Sequence, residues 1–365
     1  MNARLVPPLL ALVSFVLACA PPAAPSPTAA PAKPAATTAP AASPAASPAA
    51  SPSPAAVASP AASPAASPAA AAASPSPVAV AAPTSAPAAA KPSGPKPRVA
   101  IGSKNFTEQL IVGNIVAALL EDAGYPVDRK LNLGGTAVVH QALVNGDVDA
   151  YVEYTGTGLI ALLRLPPDTD PRNVYNTVKR EYEAQFKSTW LQPWGFNNTY
   201  AVTMRADRAA ELGARKVSDL KDRAGSLTFG ATQEFATRPD GLPGLQDTYG
   251  MKFNEVRAMD PGLMYQAVGS RQVDVISAFA TDGRIPALNL LTLEDDLKFF
   301  PPYFAAPVVR QDLLEKDPTI ADLLNKLGGK IDDKAMAALN LQVDQDKKEP
   351  DEVAKAYLKE QGLIR

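Results

Sequence analysis

One cysteine, Cys19, and one histidine, His140, serve a chain of 365 residues. A lone thiol closes no internal disulfide. There is no metal-ligand cluster, no GxSxG turn and no glycine-rich phosphate loop. The acidic pair Asp147 and Asp149 falls at a turn and a strand start, where solvation or capping is the expected role. No enzyme is built easily from these parts, and no cofactor or metal is expected. Charge of one sign is also missing: 35 basic residues face 37 acidic ones, for a net charge of −2. With no basic run and no aromatic–basic interleaving, a nucleic-acid surface is not expected. Beyond the first twenty residues no apolar run is long enough to span a membrane.

What is present divides into three parts. Residues 1–19 combine Arg4, an apolar run over 9–18 and then Cys19. That is the shape of a secretory signal, with an apolar core short for a membrane span. The stretch Val16-Leu17-Ala18-Cys19 resembles a bacterial lipobox, so Cys19 is expected to carry lipid and to anchor the chain on the outer face of the cytoplasmic membrane. Residues 20–97 are dominated by Ala, Pro, Ser and Thr with SPAA repeats. Too little apolar bulk is available there to offset ordering entropy, which predicts a disordered, partly polyproline tether. Fully extended, about 75 residues at roughly 3.1 Å each reach on the order of 200 Å. Residues 98–365 carry nearly all the charge and suit one large domain or two lobes.

Within the third part a stretch occurs twice. Residues 141–158 read QALVNGDVDAYVEYTGTG, and residues 266–283 read QAVGSRQVDVISAFATDG without a gap. Each copy closes a helix, turns, runs as a strand and ends on an aromatic, Tyr154 or Phe279. Strands are expected at 98–102, 127–133, 148–154, 227–231, 254–259 and 273–279. Helices are expected between them, the first with Thr107 as N-cap and Leu110, Ile111, Ile115, Val116, Leu119 and Leu120 at helical spacing. This alternation predicts an α/β fold with mainly parallel sheets in two similar lobes. The apolar segments after Asn198 and after Pro302 are expected to cross between lobes. The helical C-terminus is expected to return to the first lobe, giving domains at 98–199 with 304–365 and at 200–303. Two crossings form a hinge that permits closure.

Aromatics at strand ends lie where α/β proteins bind ligands. Tyr154, Tyr200, Phe279 and Tyr303 all fall at strand ends or crossings, and aromatic faces attract a cation that has no hydrogens to donate. The strand-end loops add Lys104, Thr157, Glu234 and Arg238. Arginine is the best fork for a carboxylate, lysine adds a point charge, and Glu234 and Arg238 are spaced to pair if helical. An anion clamp beside an aromatic box suits a small zwitterion bearing a quaternary ammonium. His140, beside Val138 and Val139, reads as an ordinary helix histidine.

GSKNFTEQLIVGNIVAALLE, the GGT at 134–136, YVEYTGTG, FNNTYA and ATDGRI together resemble the substrate-binding proteins of osmoprotectant ABC transporters, the ProX/OpuC-type glycine betaine, carnitine and choline binders. The resemblance spans residues 98–365. It implies a type II periplasmic-binding-protein fold: two lobes joined by two crossing strands, with a ligand cleft between them. It also implies an ABC permease with its ATPase as partner, and a monomeric receptor. By motif, Lys104, Thr157 and Arg238 become the carboxylate end, and Tyr154, Tyr200, Phe279 and Tyr303 the cage. Two positions depart from the pattern. Phe279 stands where the family commonly has Tyr, and Asn198 where Asp is common. A neutral Thr157 favours betaine-type zwitterions and leaves choline open. An amino acid or other small polar solute in the same fold is the rival reading, and a cell-wall interaction protein a more distant one. A porphobilinogen-deaminase-type enzyme would need a cysteine for its cofactor, which the folded part lacks.

Overall fold

The computed structural model describes residues 95–365. The signal segment, Cys19 and the tether up to residue 94 lie outside the described residues. Along the chain the elements are β1 (Val99–Gly102), α1 (Thr107–Asp122), β2 (Val127–Lys130), α2 (Thr136–Asn145) and β3 (Ala150–Tyr154). A π-helical turn at Thr157–Leu162 precedes α3 (Pro171–Phe186) and β4 (Ser188–Trp190). The second half has β5 (Tyr200–Arg205), α4 (Ala206–Leu212), β6 (Thr228–Ala231), α5 (Leu242–Tyr249), β7 (Glu255–Ala258), α6 (Pro261–Gly269), β8 (Val275–Phe279), α7 (Arg284–Ala287) and β9 (Leu290–Thr292). The chain then returns through β10 (Ala305–Arg310) and α8 (Gln311–Lys316), followed by α9 (Thr319–Asn325), α10 (Asp333–Asp344) and α11 (Pro350–Glu360).

Two five-stranded sheets result, ordered β2-β1-β3-β10-β4 and β7-β6-β8-β5-β9. They have the same plan. In each, four strands run one way and one is reversed: β10 is antiparallel to β3 and β4, and β5 is antiparallel to β8 and β9. The reversed strand is in both cases the one that has just crossed from the other lobe. Its first residues meet the ends of the repeated strands, Ala305 opposite Tyr154 and Tyr200 opposite Phe279. The duplicated sequence thus becomes β3 and β8. Its aspartates hold neighbouring strands together. Asp149 accepts the Ala100 N–H at 2.8 Å, and Asp274 accepts the Thr228 N–H at 3.0 Å. Each ties the start of its strand to the adjacent one, so Asp149, whose side chain stays partly exposed, is a strand-to-strand tie rather than a helix cap.

The crossing segments run side by side. Asn197 and Phe304 form an antiparallel bridge, and the Tyr303 N–H donates to Asn197 Oδ1 at 2.7 Å. Helix α1 is buried on almost every side, because the sheet covers one face and α9, α10 and α11 cover the other. That docking places the C-terminal helices on the first lobe. The helix begins at Thr107, with Phe106 in the N-cap position and making no side-chain cap. Thr107 is therefore not the cap; its hydroxyl donates to Asp344 Oδ1 at 2.6 Å on α10. Strand β2 is also shorter than its apolar pattern suggests, since the chain leaves the sheet at Lys130 and Asn132 takes a positive φ of 59°.

His140 sits in the core of the first lobe, its ring edge-on to Phe186 at 4.5 Å and near Tyr182 at 5.6 Å. Burial first, and the Lys104 charge second, push its pKa down to about 4. An unfolded chain takes up this proton near pH 6.5, whereas the folded protein resists until about 4. Stability should therefore fall as pH drops through that window and level off below it, by on the order of 2 kcal/mol once partial solvent screening is allowed for. NMR titration of the single imidazole is expected to give a midpoint near 4; a midpoint near 6.5 would contradict the buried placement.

Candidate functional site

A cleft with a cavity volume of about 160 Å³ lies between the two sheets. All eight residues singled out from the sequence line it: Lys104, Tyr154, Thr157, Tyr200, Glu234, Arg238, Phe279 and Tyr303. Their placement follows from the two-lobe plan. Tyr154 and Phe279 end the repeated strands, while Tyr200 and Tyr303 stand where the crossing strands begin. Gly156 allows the last approach, since a Cβ there would come within 2.8 Å of the Tyr303 ring and 2.9 Å of the Pro302 carbonyl.

The rings form an arc. Phe106 stacks on Phe279 with centroids 5.2 Å apart and planes at 5°, and lies 6.3 Å from Tyr154. Phe279 continues to Tyr200 at 5.6 Å, and Tyr200 meets Tyr303 edge to face at 5.6 Å and 82°. Phe106 is a fifth lining ring that sequence reasoning missed. It belongs to the GSKNF motif, but nothing local announces that its face will meet a ring from the other lobe. Phe235 and Phe300 back Tyr200 at 4.8 and 6.1 Å.

The charged end is more heavily paired than the sequence suggests. Lys104 Nζ lies 2.5 Å from Glu153 Oε1, and both are buried. Arg238 forks onto Asp240, with Nε donating to Oδ1 at 2.8 Å and Nη2 to Oδ2. Tyr303 donates its hydroxyl to the same carboxylate at 2.7 Å. Asp240, only 2% exposed, thus fixes one residue of each end. The expected pairing of Glu234 with Arg238 is loose, at 3.9 Å. Glu234 instead reaches across the cleft and accepts from the Thr136 N–H and, at 3.1 Å, the Thr136 hydroxyl. A carboxylate at the start of α2 meets unpaired backbone donors and the positive end of the helix dipole. The fork leaves Arg238 Nη1 uncommitted by Asp240, and Nη2 lies 3.4 Å from Thr157 Oγ1. Two cations and a hydroxyl therefore line the cleft among its rings, Lys104 Nζ 5.1 Å from the Tyr154 ring centroid and Arg238 5.8 Å from that of Tyr200.

Tyr154 connects to a buried acid. Its hydroxyl donates to Glu108 Oε1 at 2.6 Å and accepts from Gln109 Nε2 at 3.1 Å. Burial, and then the nearby Glu108 charge, hold this phenol well above its ordinary pKa, so it is a neutral donor. Among the described residues no group of three or more His, Cys, Asp or Glu side chains could hold a metal, and no helix is long and apolar enough to cross a membrane.

The comparisons with known proteins agree with one another. The family described as "Substrate binding domain of ABC-type glycine betaine transport system" matches residues 97–360. The chain is 39% identical over 272 residues to the carnitine transport binding protein OpuCC of Listeria monocytogenes, covering 74% of this chain and 88% of that one. It is 39% identical over 275 residues to a glycine-betaine-binding protein of Pseudomonas aeruginosa, covering 72% and 88%. A crystal structure of a glycine betaine/carnitine/choline ABC transporter protein superposes with a TM-score of 0.61 at 34% identity, over 74% of this chain and all of that one. These relatives are transport proteins rather than enzymes.

Proposed function

The chain belongs to the family of substrate-binding domains of ABC-type glycine betaine transport systems, with a type II periplasmic-binding-protein fold, and from that premise we propose that it captures a quaternary-ammonium osmoprotectant between its lobes and delivers it to an ABC permease. Glycine betaine or a related betaine is the first choice of ligand, with choline and carnitine as further members of the class. The observation that supports this reading most is the joint placement of five rings with Lys104, Arg238 and Thr157 around one cavity. Rings solvate a methylated ammonium that can donate no hydrogen bond; Lys104, Arg238 and Thr157 offer donors to a carboxylate.

A primary ammonium would need free acceptors. The acids near the cleft are already engaged: Glu153 with Lys104, Asp240 with Arg238 and Tyr303, and Glu234 with Thr136. Asp260, which also lines the cleft, is exposed. This favours a betaine over an ordinary amino acid. The lobe boundaries in this reading fall at 199/200 and 303/304. The N-terminal reading completes the picture: lipid on Cys19 holds a monomeric receptor at the outer face of the membrane, and the 20–97 tether gives it reach toward the permease and its ATPase.

Thr157→Val tests the carboxylate end. The substitution keeps the shape and removes one donor. Because hydrogen bonds to charged groups contribute about 1.5 kcal/mol or more, titration should show glycine betaine weakened roughly tenfold and choline unchanged. Equal weakening of both ligands would show that Thr157 does not face the carboxylate.

A further inference from the structure

Glu108 is a buried carboxylate, 2% exposed, in the first turn of α1. Among the described residues it forms no ion pair. Four neutral donors converge on it instead: Tyr154 Oη at 2.6 Å and Asn198 Nδ2 at 2.8 Å on one oxygen, the Thr281 hydroxyl and Asn340 Nδ2 at 3.1 Å on the other. A carboxylate accepts about four hydrogen bonds when ionised and must donate one when protonated. Four donors, with the positive end of a helix dipole behind them, match the ionised form. Burial leaves the Glu108 pKa above the ordinary carboxylate value, and the four hydrogen bonds pull it part of the way back.

The donors come from different parts of the fold. Tyr154 ends β3, Asn198 sits on the first crossing, Thr281 follows β8 in the second lobe, and Asn340 lies on α10. The other buried charges beside the cleft are neutralised in pairs, Lys104 with Glu153 and Arg238 with Asp240. An isolated buried charge is costly without compensation. One phenol away from it lies the cavity assigned above to a cationic head.

We propose that Glu108 is the counter-charge of the bound ammonium, acting through Tyr154, and that it sets how strongly the cleft prefers a charged ligand head over a neutral one of the same shape. This rests on the quaternary-ammonium reading of the cleft. Two effects carry it. The Tyr154 O–H···carboxylate bond polarises the phenol and enriches the ring face presented to the cation. The charge itself also acts through a poorly screening interior. Asn198 fits this role: an aspartate there would place a second carboxylate against Glu108, whereas the amide donates to it. Glu108 is thus a positioning residue whose contribution is electrostatic.

The test uses the purified full-length chain and two probes of equal shape, choline and its neutral carbon analogue 3,3-dimethylbutan-1-ol. Wild type is expected to prefer choline strongly. Glu108→Gln should reduce that preference by roughly tenfold or more, mostly through choline, while Glu108→Asp keeps most of it. Tyr154→Phe retains the ring and the acid but breaks their hydrogen bond, and should lower the preference severalfold; it serves if Glu108→Gln does not fold. A purely structural role would weaken both probes by the same factor, and that result overturns the proposal, as does an unchanged ratio in both variants. Failure of wild type to bind choline or any betaine is a different result, because it removes the ligand class on which the proposal stands.

Discussion

Tyr200→Ala is expected to remove most of the binding of a trimethylammonium ligand and to destabilise the protein as well. Tyr200 opens β5 opposite Phe279 and touches Phe235, Phe279, Phe300 and Tyr303. Its guanidinium neighbour Arg238 lies 5.8 Å from the ring centroid. Losing one desolvated cage ring costs about 2 kcal/mol of cation–π energy, roughly thirtyfold in affinity. The neighbouring rings lose a partner that fixes their orientation, which adds to the loss. Removal of a buried aromatic costs about 3–5 kcal/mol of stability. Tyr200→Phe keeps the ring face and should stay within a few-fold of wild type. Titration and urea unfolding of the two variants check this. An alanine variant that binds as wild type would remove Tyr200 from the site.

Asp240→Asn is expected to have the second large effect, with an instructive sign. The amide keeps one acceptor oxygen and turns the other position into a donor, so either Arg238 Nε, or Arg238 Nη2 together with the Tyr303 hydroxyl, loses its acceptor. Breaking one side of a buried ion pair costs about 3–5 kcal/mol, so the ligand-free variant should unfold well below wild type. A betaine carboxylate can then replace the missing counter-ion. The rise in Tm on adding glycine betaine should therefore exceed that of wild type, while choline, having no carboxylate, should stabilise the variant no more than it does wild type. Unchanged ligand-free stability would show that Asp240 does not hold Arg238.

The contrast between Glu234 and Asp240 shows where reading the chain reaches its limit. Spacing of four suggests a Glu234–Arg238 pair only on a helix. The segment there is one tight turn, with the Arg238 N–H on the Glu234 carbonyl at 2.9 Å and Pro239 next. The turn aims Arg238 back at Asp240 and frees Glu234 to reach the other lobe. By contrast, the strand ends were legible. The gap-free repeat fixes where β3 and β8 stop, and period-two alternation with the following Thr and Gly leaves Tyr154 and Phe279 at the mouth of each sheet. Alternation of strands and helices also conveys the direction of three strands in each sheet. It cannot convey that β10, about 150 residues downstream, enters reversed beside β3, because that pairing depends on the chain crossing twice. The partners of Glu108 are similarly scattered, on β3, the crossing, the second lobe and α10. Phe106 meets Phe279 only when the lobes approach. Long-range contacts of this kind have no local periodicity to betray them.

The most direct test of the central claim is a titration series across N-methylation: glycine, N-methylglycine, N,N-dimethylglycine and glycine betaine. These share a carboxylate and differ in how many ammonium hydrogens need acceptors. A cage of rings whose buried neighbouring acids are already engaged predicts binding that strengthens with each methyl group and is tightest for glycine betaine, with glycine bound weakly or not at all. Tight binding of glycine, or affinity that falls as methyl groups are added, would contradict the aromatic-cage account while leaving the fold intact.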